Sequence, residues 1–233
     1  MSTYLLIHGA WHGAWCWEKV VPLLESAGHR VITIDLPGHG GDQTPISAVT
    51  LDVYVNRVVT AIDELDQQVI LVGHSMGGIV VSQAAERRSN QIHSLIYVTA
   101  FLLQNGQDMM IIPPNSNMQV SEDGQTICVL EEKAMDTFYN NCVNEDVLRA
   151  VSRLQVQAMS PFVTPLRLTQ SNYGRVPRYY IEGLRDHAIP IQWQRQMQAA
   201  SPCMEVFSLD TDHSPFYSTP DQLANILLSI DES

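Results

Sequence analysis

Residues 69–77 decide the fold, and they read Val-Ile-Leu-Val-Gly-His-Ser-Met-Gly. The four apolar residues predict a buried strand, and a Gly-x-Ser-x-Gly pattern follows them directly. Residues 78–85 continue as an apolar stretch that predicts a buried helix. Such a strand–turn–helix exposes the serine hydroxyl at the edge of a sheet, because Gly73 and Gly77 leave room for the neighbouring strand and helix. Ser75 is therefore the candidate nucleophile.

Strand and helix patterns alternate on both sides of this turn. Alternating buried strands and helices predict an α/β fold with a mostly parallel sheet and helices on both faces. The predicted strands are residues 4–8, 31–35, 69–72, 94–99, 178–182 and 205–209. The predicted helices are 15–26, 50–65, 78–85, 192–199 and a last helix that starts at 219 or 220 and ends at 230.

Residues 103–174 interrupt the alternation. This segment is first polar and proline-rich, then predicts a hairpin of strands 118–120 and 126–129 around Asp123-Gly124, and then helices 131–139 and 144–159. We expect residues 1–233 to form one domain in which residues 103–174 are a small inserted cap over the carboxyl edge of the sheet.

Composition excludes several classes of partner. The formal net charge is −12, from 13 basic and 25 acidic side chains, which disfavours binding to nucleic acid or to an anionic membrane surface. No apolar run approaches the length of a membrane span. The four cysteines (Cys16, Cys128, Cys142 and Cys203) lack zinc-ligand spacing, which predicts reduced thiols, no bound metal and a cytoplasmic protein.

A serine nucleophile needs a base, and the base needs a carboxylate that orients it. In this type of fold the acid and then the histidine follow later strands. His213 follows the last predicted strand, and Asp186 follows the strand before it. His93 precedes a strand and is therefore expected at the opposite edge of the sheet, and His187 has Asp186 directly beside it. Asp210 and Asp212 are less favoured than Asp186, because residues so close to His213 on one loop rarely face it.

The oxyanion formed during such a reaction needs fixed N–H donors. The backbone amide of Met76, directly after the nucleophile, is one predicted donor. The loop after the first strand contains Gly9, which lets the amide of Ala10 supply the second. We expect His8 to brace this loop and His39 to have a structural role.

These features together resemble an α/β-hydrolase. The segment His-Gly-Ala-Trp-His-Gly-Ala-Trp at residues 8–15 is similar to the group of plant methyl esterases, hydroxynitrile lyases and related bacterial esterases. Residues 35–40 and 186–190 match the same group. The resemblance covers the chain except the insertion, and it implies the same triad and oxyanion hole.

Two positions depart from the lyases of that group. Those lyases have threonine where this chain has Gly9, and lysine where it has Ser214. Without the threonine hydroxyl and the ammonium group, the chain lacks the groups that would bind a cyanohydrin and stabilise cyanide. Lyase activity is therefore disfavoured.

The sequence predicts a serine esterase that cleaves carboxylic esters of small apolar or aromatic substrates through an acyl-enzyme, without a cofactor. A small-molecule receptor and a lactone or C–C bond hydrolase remain alternatives, and a homodimer remains open by analogy. Seven apolar residues are candidates for the substrate pocket: Trp11, Phe101, Leu102, Met109, Met159, Phe162 and Phe216.

Overall fold

A computed structural model describes residues 1–114 and 116–231; Asn115, Glu232 and Ser233 lie outside the described residues. Its main sheet has six parallel strands in the order β2-β1-β3-β4-β8-β9. The strands are β1 Thr3–Ile7, β2 Arg30–Ile34, β3 Val69–His74, β4 Ile92–Val98, β8 Arg178–Gly183 and β9 Glu205–Leu209, and the short strands are β5 Met118–Val120, β6 Thr126–Val129 and β7 Gln157–Ala158. The helices are α1 Val21–Ser26, α2 Leu51–Asp63, α3 Gly77–Arg88, α4 Glu131–Phe138, α5 Asn144–Val151, α6 Ile191–Ala200, α7 Pro215–Ser218 and α8 Pro220–Asp231.

The parallel register places the carboxyl ends of the strands at one edge of the sheet. Ile7 of β1 pairs with Gly73 of β3, and Val98 of β4 pairs with Ile181 of β8. The loops after β1, β3, β8 and β9 therefore open on the same side. These loops carry the predicted oxyanion, nucleophile, acid and base residues.

The helix α2 shows why the sequence forms these elements. Its apolar side chains recur on one face and are buried, and Thr50 caps its first turn by accepting a hydrogen bond from the Val53 N–H at 3.2 Å. Every residue of β3 is buried, as the run of apolar residues predicted. The predicted α/β fold with a parallel sheet is confirmed.

Two predicted helices have different bounds in the structure. In place of the single helix predicted for residues 15–26, the structure has a short 3-10 turn at Ala14–Trp17 and then α1 from Val21. Pro22 has no N–H to donate and is accommodated in the first turn of the new helix. The prediction for residues 144–159 is also too long, because α5 ends at Val151 and Gln157–Ala158 pairs instead with β6.

The insertion forms a three-stranded antiparallel sheet and two helices between β4 and β8. Strands β5 and β6 have the bounds that the hairpin prediction gave, and Gly124 at their turn has a φ of +70°. Among the described residues, no helix has the length and apolar character needed to cross a membrane.

Candidate active site

The turn after β3 holds Ser75 in a strained backbone conformation. Its φ is +52°, in the left-handed region that residues with a side chain rarely adopt. The Ser75 N–H donates to the Val98 carbonyl at 3.3 Å, and the Ser75 carbonyl accepts from the N–H groups of Gly78 and Phe101 at 3.0 and 3.1 Å. The ends of two strands and the start of α3 therefore fix the serine in place.

The two glycines of the motif permit this turn, as the sequence predicted. A Cβ on Gly73 would lie 2.8 Å from the Gly77 carbonyl oxygen. A Cβ on Gly77 would lie 2.9 Å from the carbonyl oxygens of both Ile7 and His8. Either side chain would push α3 away from the sheet and move the serine with it.

His213 and Asp186 form a buried pair. The Nδ1 of His213 lies 2.8 Å from Oδ2 of Asp186, and both side chains are almost completely inaccessible. A carboxylate can only accept, so Nδ1 carries the proton and Nε2 is left with its lone pair. In the described residues the Ser75 hydroxyl makes no hydrogen bond to this ring, although both side chains line one cavity. Catalytic hydrogen bonds often tighten only when substrate binds.

Four donors hold the Asp186 carboxylate. Oδ1 accepts from the backbone N–H groups of Ala188 and Ile189, each at 2.8 Å. Oδ2 accepts from His213 and, at 3.1 Å, from the side-chain amide of Gln194. Gln194 is fully buried on α6, and sequence reasoning missed it because a glutamine at one helix position gives no signal of this contact.

The backbone of His213 is fixed by two further side chains. Its carbonyl oxygen accepts from Nε2 of His74 at 2.8 Å and from the Thr99 hydroxyl at 3.1 Å. His74 immediately precedes the nucleophile, so this bond connects the serine turn to the histidine loop. The Nδ1 of His74 is buried without a hydrogen-bond partner among the described residues.

Two amides are placed to bind an oxyanion. The N–H groups of Ala10 and Met76 have no acceptor in the described part of the chain, and Met76 is the N-cap of α3, where the helix dipole favours negative charge. His8 braces the Ala10 loop as predicted. Its Nδ1–H donates to the Gly9 carbonyl at 2.7 Å, while its Nε2 accepts from the Leu36 N–H at 3.0 Å.

Burial keeps the other histidines near the site neutral. Loss of hydration lowers the pKa of His8 and His74 well below the usual value. It lowers the pKa of His12 to about 3 and that of His39 to about 4. The Nε2 of His39 lies 3.0 Å from the Tyr54 hydroxyl, which agrees with the predicted structural role.

A cavity opens between the sheet edge and the insertion, and among the described residues its lining is apolar except for Ser75 and His213. Four predicted pocket residues line it: Trp11, Phe101, Met109 and Phe162. Seven other lining residues were not predicted: Met110, Ile112, Pro113, Pro114, Met118, Ala188 and Ile189. The prolines and Met118 were missed because no periodicity marks which residues of a loop or of a three-residue strand turn inward.

Three predicted pocket residues do not line this cavity among the described residues. Leu102 is buried in the core, and Met159 is half-buried outside the cavity. Phe216 is completely buried and packs edge-on against His74, with ring centroids 4.9 Å apart. Phe216 therefore supports the histidine loop from behind.

The histidines and aspartates that are not part of the proposed triad lie on the surface or bind other partners. His93 is exposed, and His187 is exposed and lies 3.2 Å from Asp136. Asp210 pairs with Arg185 on the surface. Asp212 is buried, but it accepts from the insertion and its own loop, including the Asn141 N–H at 2.8 Å. No group of three or more His, Cys, Asp or Glu side chains could hold a metal ion within residues 1–114 and 116–231.

Residues 4–226 match the model of the alpha/beta hydrolase family, and the chain belongs to that family. It is 35% identical to putative methylesterase 11, chloroplastic, of Arabidopsis thaliana, over 98% of this chain and 64% of that protein. It is 34% identical to the pyrethroid hydrolase of Sphingobium wenxiniae, over 97% of this chain and 86% of that protein. The chain thus spans just under two thirds of the length of the first relative.

Solved structures agree with this assignment. A pyrethroid hydrolase from Sphingobium faniae superposes with a TM-score of 0.90 at 32% identity, covering 100% of this chain and 98% of the other. An Arabidopsis methylesterase superposes with the same TM-score at 28% identity, covering 100% and 99%. The predicted resemblance to plant methyl esterases and bacterial esterases is confirmed.

Proposed function

We propose that this chain is a serine hydrolase that cleaves carboxylic esters of small apolar or aromatic substrates through an acyl-enzyme intermediate. The observation that carries the proposal is the arrangement of three side chains. Ser75 and His213 line the same cavity, and Asp186 lies 2.8 Å behind the imidazole of His213. The strained turn at Ser75 and the two unpaired amides support the same conclusion.

The reaction has two steps that use the same groups. Ser75 Oγ attacks the ester carbonyl while Nε2 of His213 takes its proton, after rotation of the hydroxyl toward the ring. The imidazolium then protonates the departing alcohol, and an acyl group remains on Ser75. Water attacks that acyl group with His213 again as the base, which releases the acid and restores the serine. Asp186 stabilises the imidazolium in both steps.

The negative oxygen of each tetrahedral intermediate binds the N–H groups of Ala10 and Met76. Both donors are backbone groups held by the fold, so they need little reorganisation when charge develops. A donor of this kind is commonly worth about 10²- to 10³-fold in rate. No step requires a metal or an organic cofactor.

The cavity lining supports neutral apolar substrates. Apart from the nucleophile and the base, every lining side chain that the structure describes is apolar. Against these side chains a charged acyl group would lose its hydration without gaining a partner. Relatives named for methyl esters and for pyrethroids fit a site of this kind. Residues 103–174 act as a cap in this proposal, within one domain, because Met109 and Phe162 complete the cavity wall.

Hydrolysis of p-nitrophenyl acetate and butyrate tests the proposal. We expect turnover by the wild type and a loss of at least about 10³-fold in the Ser75→Ala variant. The control is Ser94→Ala, since Ser94 is also buried and its hydroxyl has no hydrogen-bond partner among the described residues. Binding without Ser75-dependent turnover would indicate a receptor instead, and turnover of lactones alone would indicate a different hydrolase.

The cellular setting is part of the proposal. The four cysteines are free, which fits reduced thiols and a cytoplasmic location. The proposed partner is a small ester, and a homodimer is the oligomeric state to test by light scattering.

Gly9 and Ser214, in place of threonine and lysine, argue against cyanohydrin cleavage. Release of cyanide from mandelonitrile that depends on Ser75 would overturn that exclusion.

A further inference from the structure

The loop that carries the Ala10 amide contains two consecutive peptide groups with their carbonyls held by histidines. The Nδ1–H of His8 holds the Gly9 carbonyl. The next carbonyl, that of Ala10, lies 2.8 Å from Nδ1 of His12. Trp11 follows with a φ of +64°, a conformation that needs support from its surroundings. The Gly9 carbonyl belongs to the same peptide plane as the Ala10 N–H, and the Ala10 carbonyl belongs to the next plane. The bond from His8 therefore sets the direction of the N–H, and the bond from His12 fixes the loop that follows it.

The tautomer of His12 is determined by its two partners. A carbonyl only accepts, so Nδ1 of His12 must carry the hydrogen, and Nε2 must accept. The group on the other side is the Tyr139 hydroxyl, 2.7 Å from Nε2. Two hydrogen bonds link the three groups in series: the Tyr139 hydroxyl donates to the imidazole of His12, and the imidazole donates to the Ala10 carbonyl.

The two side chains of this series are buried. His12 and Tyr139 are each 1% exposed, so neither can exchange its partner for bulk water. Rings surround His12, and those of Trp15, Phe138 and Phe216 have centroids within 6.0 Å of it. In such surroundings a polar group without a partner is costly, and the imidazole keeps the orientation that satisfies both nitrogens.

We propose that Tyr139 is a positioning residue for the oxyanion hole: its hydroxyl donates to Nε2 of His12 and holds the imidazole where its Nδ1–H donates to the Ala10 carbonyl, which fixes the loop that presents the Ala10 N–H. This inference rests on the proposed function. Tyr139 follows α4 in the insertion, so the insertion would act on the reaction and not only on the shape of the cavity. Two other bonds join the same parts: the Trp11 indole N–H donates to the Ile127 carbonyl at 3.0 Å, and the Gln155 N–H donates to the Trp11 carbonyl at 2.9 Å.

The test compares Tyr139→Phe with Tyr54→Phe. Each substitution removes one hydroxyl that contacts Nε2 of a buried histidine, and Tyr54 contacts His39 at 3.0 Å instead of His12. Without the Tyr139 hydroxyl, Nε2 of His12 is buried without a donor, and the imidazole is no longer held in the orientation in which Nδ1–H donates to the Ala10 carbonyl. We expect kcat for p-nitrophenyl butyrate to fall about 10- to 100-fold, less than or similar to the loss of one oxyanion donor, with KM within about two-fold.

A tetrahedral inhibitor separates positioning from general structural damage. Butylboronic acid adds to the serine and places a negative oxygen in the oxyanion hole, so its inhibition constant should rise about 10-fold in Tyr139→Phe. Tyr54→Phe should change neither kcat nor the inhibition constant by more than about two-fold. Unchanged kcat and inhibition in Tyr139→Phe, or equal losses in both variants, would overturn the inference.

Nitrogen NMR tests the tautomer independently of turnover. In the wild type we expect the His12 imidazole to be neutral, with its proton on Nδ1 and a hydrogen bond accepted at Nε2. In Tyr139→Phe we expect the Nε2 resonance to move to that of a nitrogen that accepts no hydrogen bond. A wild-type proton on Nε2 would contradict the inference even if ester hydrolysis is confirmed. Absence of Ser75-dependent turnover would instead overturn the proposed function, and the NMR result would still decide the tautomer.

Discussion

Gly9 lies against Ser75 so closely that a Cβ on Gly9 would be 2.7 Å from the Cβ of the serine. The same atom would be 2.8 Å from Nδ1 of His74. In this chain the loop with the Ala10 amide and the turn with the nucleophile meet this closely because residue 9 has no side chain. The oxyanion hole and the nucleophile are thus built at one contact between two loops.

Gly9→Ala should therefore lower ester hydrolysis strongly. The added methyl group displaces the Ala10 amide or the serine, and we expect kcat/KM for p-nitrophenyl butyrate to fall by about 10² or more. The matched control is Gly41→Ala, because a Cβ on Gly41 meets only the Asp35 carboxylate at 3.8 Å. Equal activity of Gly9→Ala and the wild type would show that this contact does not position the hole.

Asp186→Asn should remove the correct tautomer of His213 while the loop keeps its shape. The asparagine oxygen can still accept from Ala188 and Ile189, but its NH₂ group would face Nδ1 of His213 and the Gln194 amide. We expect kcat to fall about 10³- to 10⁴-fold. Steady-state kinetics measure the effect, with Asp210→Asn, an exposed carboxylate bound to Arg185, as the control. A similar loss in both variants would contradict the role of Asp186.

Stability should decrease as the pH falls below about 6.5. Burial lowers the native pKa of His12 to about 3 and that of His39 to about 4, whereas both titrate near 6.5 when unfolded. The unfolded state therefore binds more protons in this window, and each such histidine costs up to about 1.4 kcal/mol of unfolding free energy per pH unit. His8 and His74 act in the same direction.

Urea unfolding between pH 7.5 and 5 measures this dependence. His39→Gln should reduce the slope of the unfolding free energy by about 1 kcal/mol per pH unit between pH 6 and 5. His93→Gln removes an exposed histidine and should leave the slope unchanged. A slope that is the same in His39→Gln and the wild type would mean that His39 is not held neutral by the fold.

The apolar cavity should accept longer acyl groups when its wall is cut back. Met109 is 5% exposed and lines the cavity, so Met109→Ala should raise the ratio of octanoate to acetate hydrolysis about 5-fold or more. Met159→Ala changes a methionine of the insertion that is outside the cavity and should leave the ratio unchanged. A shift in Met159→Ala alone would restore Met159 as a pocket residue and remove Met109.

The sequence predicts the sheet well because the strands are defined by local patterns. The run from Val69 to Val72, the turn at Asp123-Gly124 and the cap at Thr50 each depend on neighbouring residues. The order of nucleophile, acid and base along the chain was also readable, because each follows the end of a parallel strand. Ser75, Asp186 and His213 could therefore be proposed from their positions alone.

Contacts between residues far apart in the sequence could not be predicted from local patterns. His12 and Tyr139 are 127 positions apart, and no spacing rule joins a histidine of one loop to a tyrosine of the insertion. The strand at Gln157–Ala158 was assigned to a helix because its pairing with β6 is tertiary and overrides local propensity. Gln194 was missed because its contact with Asp186 is also formed only in the folded chain.

Trapping of the acyl-enzyme tests whether Ser75 is the nucleophile that is acylated during turnover. Wild-type protein is mixed with p-nitrophenyl butyrate, quenched in acid within the first turnover and digested for peptide mass spectrometry. We predict a butyryl group on Ser75, and none in Ser75→Ala. A butyryl group on a different residue that is needed for turnover, or steady turnover with no acyl group on Ser75, would contradict the account.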